Sequence, residues 1–543
     1  MPQTPTRRAL VVAERALLGV VLTVALLTIL GVASGGSPFL PMNDAPSHIA
    51  NAVLTSRLWH HDGFFAQHYL MQSTPLPYWA VALLMQPLLL LASPLLAFAL
   101  LVAAYALLLP VAFALLLPRD AQGRASRVLL PLTVLLAFNW SYFYGEANFF
   151  LGQPLALLTY AAFLRLAPAD SPRRPWLLLA AFTLLCASVY LCHIYALVAL
   201  GGMLGGYGLW RLGTRQRPLL SLQQWLAVGV WLLLFVTAAY FVLFSHGSGR
   251  NSGGTWAFDW SLRRLLHVFV DPLDSASSPS RVVLLGAVAL LLALLVGPHL
   301  LQLRQSAQAS SSPLSSPSQG WRASLDALLR ACHPPLLVPG VLLLLGAYLG
   351  PQALLNADGT VKEGEIAMRL SLCGFVLLLG GVRLAPQRWV RPALLGVLLG
   401  LCAFKLQDTV RLHRSQGHKT QAVASQLLAQ VPPHSRLLPL MDFPEGEATA
   451  IDYLSHRLGN YVVVLRDGYS PHVFAALGQQ PLRHLRYGDH RGVDNLQVTA
   501  DEWAYFDYVL IQTRRSQPQV PGLADHAQKV GQTGDFQLYR VRH

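Results

Sequence analysis

The chain has 543 residues, of which 54% are hydrophobic and only 12% charged, and its mean hydropathy is +0.44. This composition excludes an ordinary soluble globular protein and is typical of a polytopic membrane protein. The formal net charge of +14 would suggest nucleic acid as a partner, but the arginines cluster in short loops between apolar runs, where the positive-inside rule accounts for them. We therefore predict no nucleic-acid site.

The first apolar run, residues 16–33, carries no charge and is long enough to cross a bilayer. Arg7, Arg8 and Arg15 precede it and predict a cytoplasmic N-terminus. A signal peptide has similar flanking charges, but the many later apolar runs favour a membrane helix that is retained.

A short polar stretch just after the first span, residues 41–55, carries the most informative local pattern of polar residues. If Asp44 caps a helix with Pro46 in its first turn, one face of that helix carries Asp44, His48, Asn51 and Thr55. A carboxylate and an imidazole one turn apart can accept a proton and bind a phosphate. The alternative is an ordinary helix cap followed by a surface histidine, and the spacing alone does not distinguish the two.

The rest of the first outer loop, residues 34–93, is polar to about residue 77 and apolar over 77–91. An unambiguous span follows at 94–118. Counting both apolar runs as spans would place the next arginines outside the cell, against the charge rule: Arg119, Arg124 and Arg127. We therefore predict that 77–91 is a helix at the outer surface or only part-way through the membrane.

With that choice the later loops alternate between the two sides of the membrane, with the arginine-rich loops inside, and the chain has about eleven transmembrane helices. The remaining spans are predicted at 128–144, 150–167, 176–190, 194–210, 223–244, 282–303, 335–349, 367–384 and 392–406. A stretch rich in Ser, Ala and Gln, residues 305–319, reads as a cytoplasmic linker. An odd number of spans places the C-terminus outside the cytoplasm.

From about residue 407 the composition becomes that of a soluble domain. We predict an extracytoplasmic, periplasmic α/β domain over 407–543, with a helix at 421–431 and strands at 461–465, 508–512 and 536–541. About 130 residues suffice for a small independent core, so the segment from about residue 415 is expected to fold by itself.

The polar residues that are hardest to explain structurally all lie on the predicted outer side. They are Asp44, His48, Asp62, Glu146, His193, Asp259 and Arg369. Charged groups at the edge of an apolar bundle are costly and tend to line a cavity or a pathway. Each of them alone could instead be a solvated loop residue, and a glutamate in a first helical turn is favoured by the helix dipole.

Metal and disulfide chemistry receive little support. Adjacent histidines seldom converge on one ion, so the group His60, His61, Asp62 and His68 does not predict a dedicated metal site. The five cysteines all lie in or beside apolar runs and are predicted to be small buried core residues.

Three short motifs resemble those of the GT-C superfamily of integral-membrane glycosyltransferases, most closely bacterial members related to the oligosaccharyl- and mannosyl-transferase type. They are Asp44-Ala-Pro-Ser-His48, Pro75-Leu-Pro-Tyr-Trp79 and Tyr144-Gly-Glu-Ala-Asn-Phe-Phe150. The architectural resemblance covers roughly residues 10–406, and a soluble outer domain follows, as in several relatives. The resemblance implies a GT-C-like helical membrane fold.

The same resemblance implies transfer of a sugar from a polyprenyl-phosphate donor to a glycan, lipid or protein acceptor at the outer face of the bacterial inner (plasma) membrane. By position it implies a catalytic carboxylate at Asp44, a second acidic residue at Glu146 and a phosphate-binding arginine at Arg369. We further predict substrate contacts for His48, Asn51, His193 and Asp259. Many members have a paired acidic motif where this chain has one Asp, so no cofactor is assigned and a divalent metal stays open.

A carboxylate and a cation together are suited to this transfer. The carboxylate takes a proton from the attacking hydroxyl while Arg or His stabilises the leaving phosphate, and the anomeric centre is inverted. An O-antigen polymerase or ligase is the alternative enzyme, and its paired loop arginines would be sought at Arg250, Arg263 and Arg264. A transporter would show inverted repeats or broken helices, and neither is evident. An inactive scaffold that binds a partner through its outer domain is the third alternative.

Overall fold

The structure is a computed structural model. It describes residues 5–33, 35–72, 77–117, 127–167, 174–215, 218–244, 255–270, 280–309, 332–355, 361–363, 366–385, 387, 389–444, 449–475, 481–485 and 495–543. Arg250 and residues 310–319 of the predicted linker lie outside the described residues.

Helices dominate the fold, and their bounds follow the apolar runs closely. They are α1 (Pro5–Ile29), α2 (Ala45–Trp59), α3 (Gly63–Ala66), α4 (Ala80–Leu89), α5 (Pro94–Leu116), α6 (Leu130–Leu136), α7 (Trp140–Tyr144), α8 (Ala147–Arg165), α9 (Pro175–Cys192), α10 (Ile194–Gly213), α11 (Leu222–Phe244), α12 (Leu262–Val270), α13 (Ser280–Ala309), α14 (Pro334–Leu349), α15 (Ser371–Gly381), α16 (Val390–Gln426), α17 (Ala450–Tyr453), α18 (Tyr461–Arg466), α19 (Ala500–Tyr505) and α20 (Leu523–His526). Single 3-10 turns lie at Arg127–Leu129, Ala367–Leu370, Leu428–Gln430 and Leu458–Asn460.

Seven helices in the described part of the chain are long and apolar enough to cross a membrane. They comprise Ala9–Ile29, Pro94–Leu116, Ala147–Arg165, Pro175–Cys192, Leu222–Phe241, Val282–Leu301 and Val390–Gln430. Apolar side chains on these helices are turned outward, as a lipid environment requires: Leu233 is 68% exposed and Val236 56%. The chain is therefore an integral membrane protein.

Other predicted spans are shorter in the structure. Helix α4 has 10 residues and is too short to cross a bilayer, which agrees with the prediction of a surface or part-way helix at 77–91. The prediction of one continuous span over 128–144 is wrong, because α6 ends at Leu136 and α7 begins after Asn139. The side chain of Asn139 accepts a hydrogen bond from the Tyr142 N–H at 3.1 Å and so starts a new helix inside the apolar run.

Within the described ranges, nine short strands form three separate sheets. A four-stranded sheet in the C-terminal part has the order β5 (Leu437–Asp442), β7 (Tyr508–Thr513), β9 (Phe536–Val541), β8 (Ala527–Thr533). Strands β5 and β7 are parallel, whereas β7–β9 and β8–β9 are antiparallel. The other sheets are β2 (Thr255–Ala257), β3 (Ala353–Leu355), β4 (Val361–Glu363), and the antiparallel pair β1 (Tyr69–Met71), β6 (Leu482–His484).

The C-terminal predictions are confirmed in part. Strands 508–512 and 536–541 are present as β7 and β9. The strand predicted at 461–465 is wrong: the valine-rich run is helix α18, which packs against α2. Val462 and Val463 are fully buried, and this tertiary packing overrides the local preference of β-branched residues for a strand.

Helix α16 links the membrane part to the C-terminal part without a break. It runs for 37 residues, so the predicted boundary at 406/407 falls inside it. One face carries buried polar residues, among them Lys405, Thr409 and His413. The His413 ring lies 2.8 Å from the Tyr142 hydroxyl, which ties this face to α7.

The first outer loop is built into the C-terminal part. Strand β1 of the loop pairs with β6, with Tyr69 opposite His484. The Tyr69 hydroxyl donates to the Ser470 carbonyl at 2.8 Å, and the Asn460 amide donates to the Ser47 hydroxyl at 2.7 Å. A single hydrophobic core extends through both regions. The loop and the C-terminal part therefore position each other, and the site between them depends on both.

Candidate active site

The start of α2 is fixed by the turn that joins α7 to α8. The backbone N–H groups of Asn43 and Asp44 donate to the carbonyls of Phe143 and Tyr144 at 3.0 and 3.1 Å. Gly145 has a φ of +83°, and a Cβ placed on it would lie 2.6 Å from the Asp44 nitrogen. Only glycine allows this approach, which brings Asp44 next to the start of α8.

Asp44 occupies the position before α2, but its side chain accepts no hydrogen bond from the helix N–H groups. Its Oδ1 instead lies 3.0 Å from the Nε of Arg457, a residue of the C-terminal part, and the Asp44 side chain is 13% exposed. Burial raises the pKa of Asp44 from 3.8 to about 6, against the opposing effect of the Arg457 and Arg369 guanidinium groups. A carboxyl group with such a pKa is suited to exchange a proton near neutral pH.

Glu146 and Arg369 form a second ion pair beside Asp44. The Arg369 Nη2 lies 2.6 Å from the Glu146 Oε1. The Glu146 side chain is 12% exposed and the Arg369 side chain 10%. Arg369 comes from the 3-10 turn before α15, and its guanidinium group lies 4.8 Å from the Tyr195 ring centroid. Glu146 directly follows Gly145, which packs against the Asp44 nitrogen, so the second ion pair lies next to the first.

The His48 side chain, on α2, is held as a neutral imidazole against the turn that joins α7 to α8. Its Nε2 accepts a hydrogen bond from the Ala147 N–H at 3.3 Å, and its ring lies 5.0 Å from that of Phe474. Burial, followed by the Arg457 charge, lowers the pKa of His48 from 6.5 to about 3. A neutral, hydrogen-bonded ring positions the turn that carries Glu146; it supplies no positive charge to a phosphate.

Asn51 and His193 also make local contacts. The Asn51 amide donates to the Phe474 carbonyl and joins α2 to the C-terminal part. His193 accepts the Tyr195 N–H at 3.1 Å and so caps α10, which is a role the loop pattern did not predict. Its ring packs on Phe149, so His193 supports the aromatic wall against which Arg369 lies.

Asp259 is separate from this group. Its carboxylate accepts the Ser261 N–H at 2.9 Å just before α12, and this bond lowers the pKa of Asp259. Among the described contacts it has none with Asp44, Glu146 or Arg369. The structure thus brings together Asp44, Glu146, Arg369 and His48 from the predicted set, and leaves Asp259 outside.

Arg457 is the residue that sequence reasoning missed. It precedes the 3-10 turn Leu458–Asn460, donates to the His472 carbonyl at 2.9 Å and lies 4.7 Å from the Phe474 ring centroid. No local pattern marks it among the 40 lysines and arginines of the chain. Only the packing of α2 against the C-terminal part brings it to Asp44.

The side chains of this site do not fit a divalent metal ion. The two carboxylates face guanidinium groups, which repel a cation. In the described part of the chain no three His, Cys, Asp or Glu side chains form a group that could hold a metal. Asp62 accepts the Phe64 N–H as the cap of α3, and the His68 ring lies 2.9 Å from the Tyr505 hydroxyl. Asp62 and His68 therefore stabilise the local fold of the outer loop.

The loop arginines of the alternative enzyme class differ in their surroundings. Arg264 is 4% exposed and donates to the carbonyls of Ala347 and Gly350, so it holds α12 to the end of α14. Arg263 is exposed. The pair therefore does not converge on one site.

No protein-family model matches the chain, and no curated protein matches it either.

Proposed function

We propose that the protein is a GT-C-like glycosyltransferase that moves a sugar from a polyprenyl-phosphate donor to an acceptor hydroxyl at the outer membrane surface. The observation that carries the proposal is the convergence of Asp44, Glu146 and Arg369. These residues come from three distant parts of the chain, and the resemblance to that superfamily marked each of them separately. Carboxylates and a cation at one edge of an apolar bundle match the chemistry of such a transfer.

In the proposed reaction, Asp44 is the general base. An acceptor hydroxyl attacks the anomeric carbon of the sugar, and its proton passes to the Asp44 carboxylate. The bond between that carbon and the phosphate oxygen breaks, and its electron pair leaves with the polyprenyl phosphate. Arg369 stabilises the negative charge of the leaving group, while Glu146 fixes the orientation of its guanidinium group. A single displacement inverts the anomeric configuration.

The proposal is tested with the purified full-length protein in nanodiscs. A panel of synthetic polyprenyl-phosphate sugars, labelled in the sugar, is incubated with glycan, lipid and peptide acceptors. We expect at least one donor to lose its label to an acceptor with inversion at the anomeric carbon. Product with retained configuration, transfer from a nucleotide sugar alone, or no turnover of any lipid-linked donor would overturn the proposal.

Arg457 is proposed to keep Asp44 ionised at neutral pH. Transfer requires the carboxylate form, so the rate should fall as pH decreases through about 6, the pKa of Asp44. Removing the nearby cation in Arg457→Gln should raise that pKa and move the acidic limb of the pH–rate profile to higher pH. Arg514→Gln, which alters a separate ion pair with Asp452, is the matched control and should leave the limb in place. An identical profile for Arg457→Gln would contradict this role.

The proposed topology has eleven spans, with the interrupted segment α6–α7 counted as one crossing. The N-terminus is cytoplasmic and the C-terminal part lies outside, in the periplasm of a bacterial inner membrane. A reporter fused after His543 should be active outside the cytoplasm, and one inserted at Ser311, beyond the described residues, should be active inside. Export of the reporter at Ser311 would move the candidate site to the other side of the membrane.

A further inference from the structure

A groove of about 630 Å³ lies between α1 and α16, and Asp44 is not among the residues that line it. Its floor is apolar and is formed by Val24, Leu406 and Val410. Its rim is polar and mostly basic, and consists of Gln407, Arg411, Arg414, Ser415 and His418. We call it the α1–α16 groove.

The groove lies at one end of a helix pair whose other end is marked by an ion pair. Arg391, at the start of α16, contacts the Glu14 carboxylate of α1 at 2.5 and 2.8 Å. Arg411 follows Arg391 by 20 residues on the same continuous helix, which corresponds to about 30 Å. The hydrocarbon core of a bilayer has this thickness. The rim of the groove therefore lies at the level of the lipid head groups on the opposite face.

The rim carries positive charge that no acidic side chain among the described residues pairs with. Arg411, Arg414 and His418 are exposed, and the structure gives Arg411 no ion pair with any described residue. Among the described contacts, the Arg414 side chain donates one long hydrogen bond, 3.5 Å, to the Ala33 carbonyl. Asp408, on the same stretch of α16, does not line the groove. Positive charge above an apolar floor is complementary to a lipid with an anionic head group.

We propose that the α1–α16 groove binds an anionic glycerophospholipid of the bilayer. The lipid phosphate lies against Arg411 and Arg414, and one acyl chain follows Val24, Leu406 and Val410 towards the membrane interior. The apolar floor distinguishes this ligand from a soluble phosphate, which would gain nothing from it. The site is independent of sugar transfer, because the face of α16 directed towards α7 carries the buried Lys405 and His413 instead.

The experiment uses the full chain, stripped of lipid in detergent and then titrated with phosphatidylglycerol or phosphatidylcholine, with bound lipid counted by native mass spectrometry. Wild type should bind phosphatidylglycerol preferentially. Each arginine near an anionic head group contributes about fivefold in affinity, so Arg411→Gln with Arg414→Gln should weaken that binding by about thirtyfold. The double variant Arg540→Gln with Arg542→Gln changes two exposed arginines of the C-terminal part and is the matched control.

Equal binding of the two phospholipids, or undiminished binding by the Arg411/Arg414 variant, would overturn the proposal. Two further additions test the source of the phosphate. Displacement of phosphatidylglycerol by millimolar inorganic phosphate would mean that the head group alone is recognised, and stronger retention of polyprenyl phosphate would mean that the groove serves the sugar carrier. Either result contradicts a phospholipid site, whereas persistence of phosphatidylglycerol against both supports it.

Discussion

Asp44→Asn is expected to lower sugar transfer by about a hundredfold or more, the scale usual for loss of a general base. Asparagine has nearly the volume of aspartate, and its oxygen can still face Arg457, but it cannot take a proton from the acceptor hydroxyl. The measurement is the rate of label transfer from the lipid-linked donor under saturating conditions, with wild type and variant in the same nanodiscs.

The same substitution should leave the fold intact. Asp44 does not cap α2 through its side chain, so no cap is lost. Because its pKa rises from 3.8 to about 6 on folding, ionised Asp44 opposes folding; that cost is complete above pH 6 and disappears as pH falls below 3.8. A neutral amide removes this cost at pH 7.5, so the thermal midpoint there should be unchanged or slightly higher.

Asp62→Asn is the matched control from the same outer loop. Asp62 caps α3 by accepting the N–H groups of Phe64 and Phe65 at 3.0 and 3.3 Å, and asparagine is an equally good cap. Its transfer rate should equal that of wild type. If Asp44→Asn retained a near wild-type rate, Asp44 would not be the base, and Glu146 would be the next carboxylate to test.

The sequence marked several residues that the structure brings together, because its motifs lie in short turns whose geometry is local. Asp44 precedes a helix that has proline in its first turn. Glu146 directly follows Gly145, whose backbone packs against Asp44. The structural contacts of His48 and Asn51 could not be predicted from the sequence. Both stay predicted to contact substrate; the sequence does not show that each also forms a hydrogen bond with backbone that lies close only in the folded chain.

A local helix cap and long-range packing together explain the errors in the fold. The apolar run 128–144 satisfies the hydropathy rule for a span, yet one side-chain cap at Asn139 divides it. Residues 461–465 satisfy the composition rule for a strand, yet they form a helix against α2. Arg457 belongs to the same packed region. The helix at 461–465 and the position of Arg457 depend on contacts between residues hundreds of positions apart, which a local pattern does not contain.

Arg369→Met is expected to impair both stability and transfer. Arg369 and Glu146 are about nine-tenths buried, and removing one partner of such a pair leaves an uncompensated charge that costs about 3–5 kcal/mol. The thermal midpoint should fall by several degrees. Arg57→Met is the control, because Arg57 and Asp467 form an ion pair with side chains 47% and 40% exposed, and the midpoint should barely change.

The double variant Glu146→Gln with Arg369→Met separates the two effects. Replacing both charges at once removes the uncompensated carboxylate, and methionine can pack on the Tyr195 and Phe149 rings, so the thermal midpoint should return close to the wild-type value. Transfer should stay low, because Arg369, the cation proposed to stabilise the leaving phosphate, is then absent. If transfer returned together with stability, the pair would be structural only, and Arg457 would be the remaining arginine beside Asp44 able to bind the phosphate.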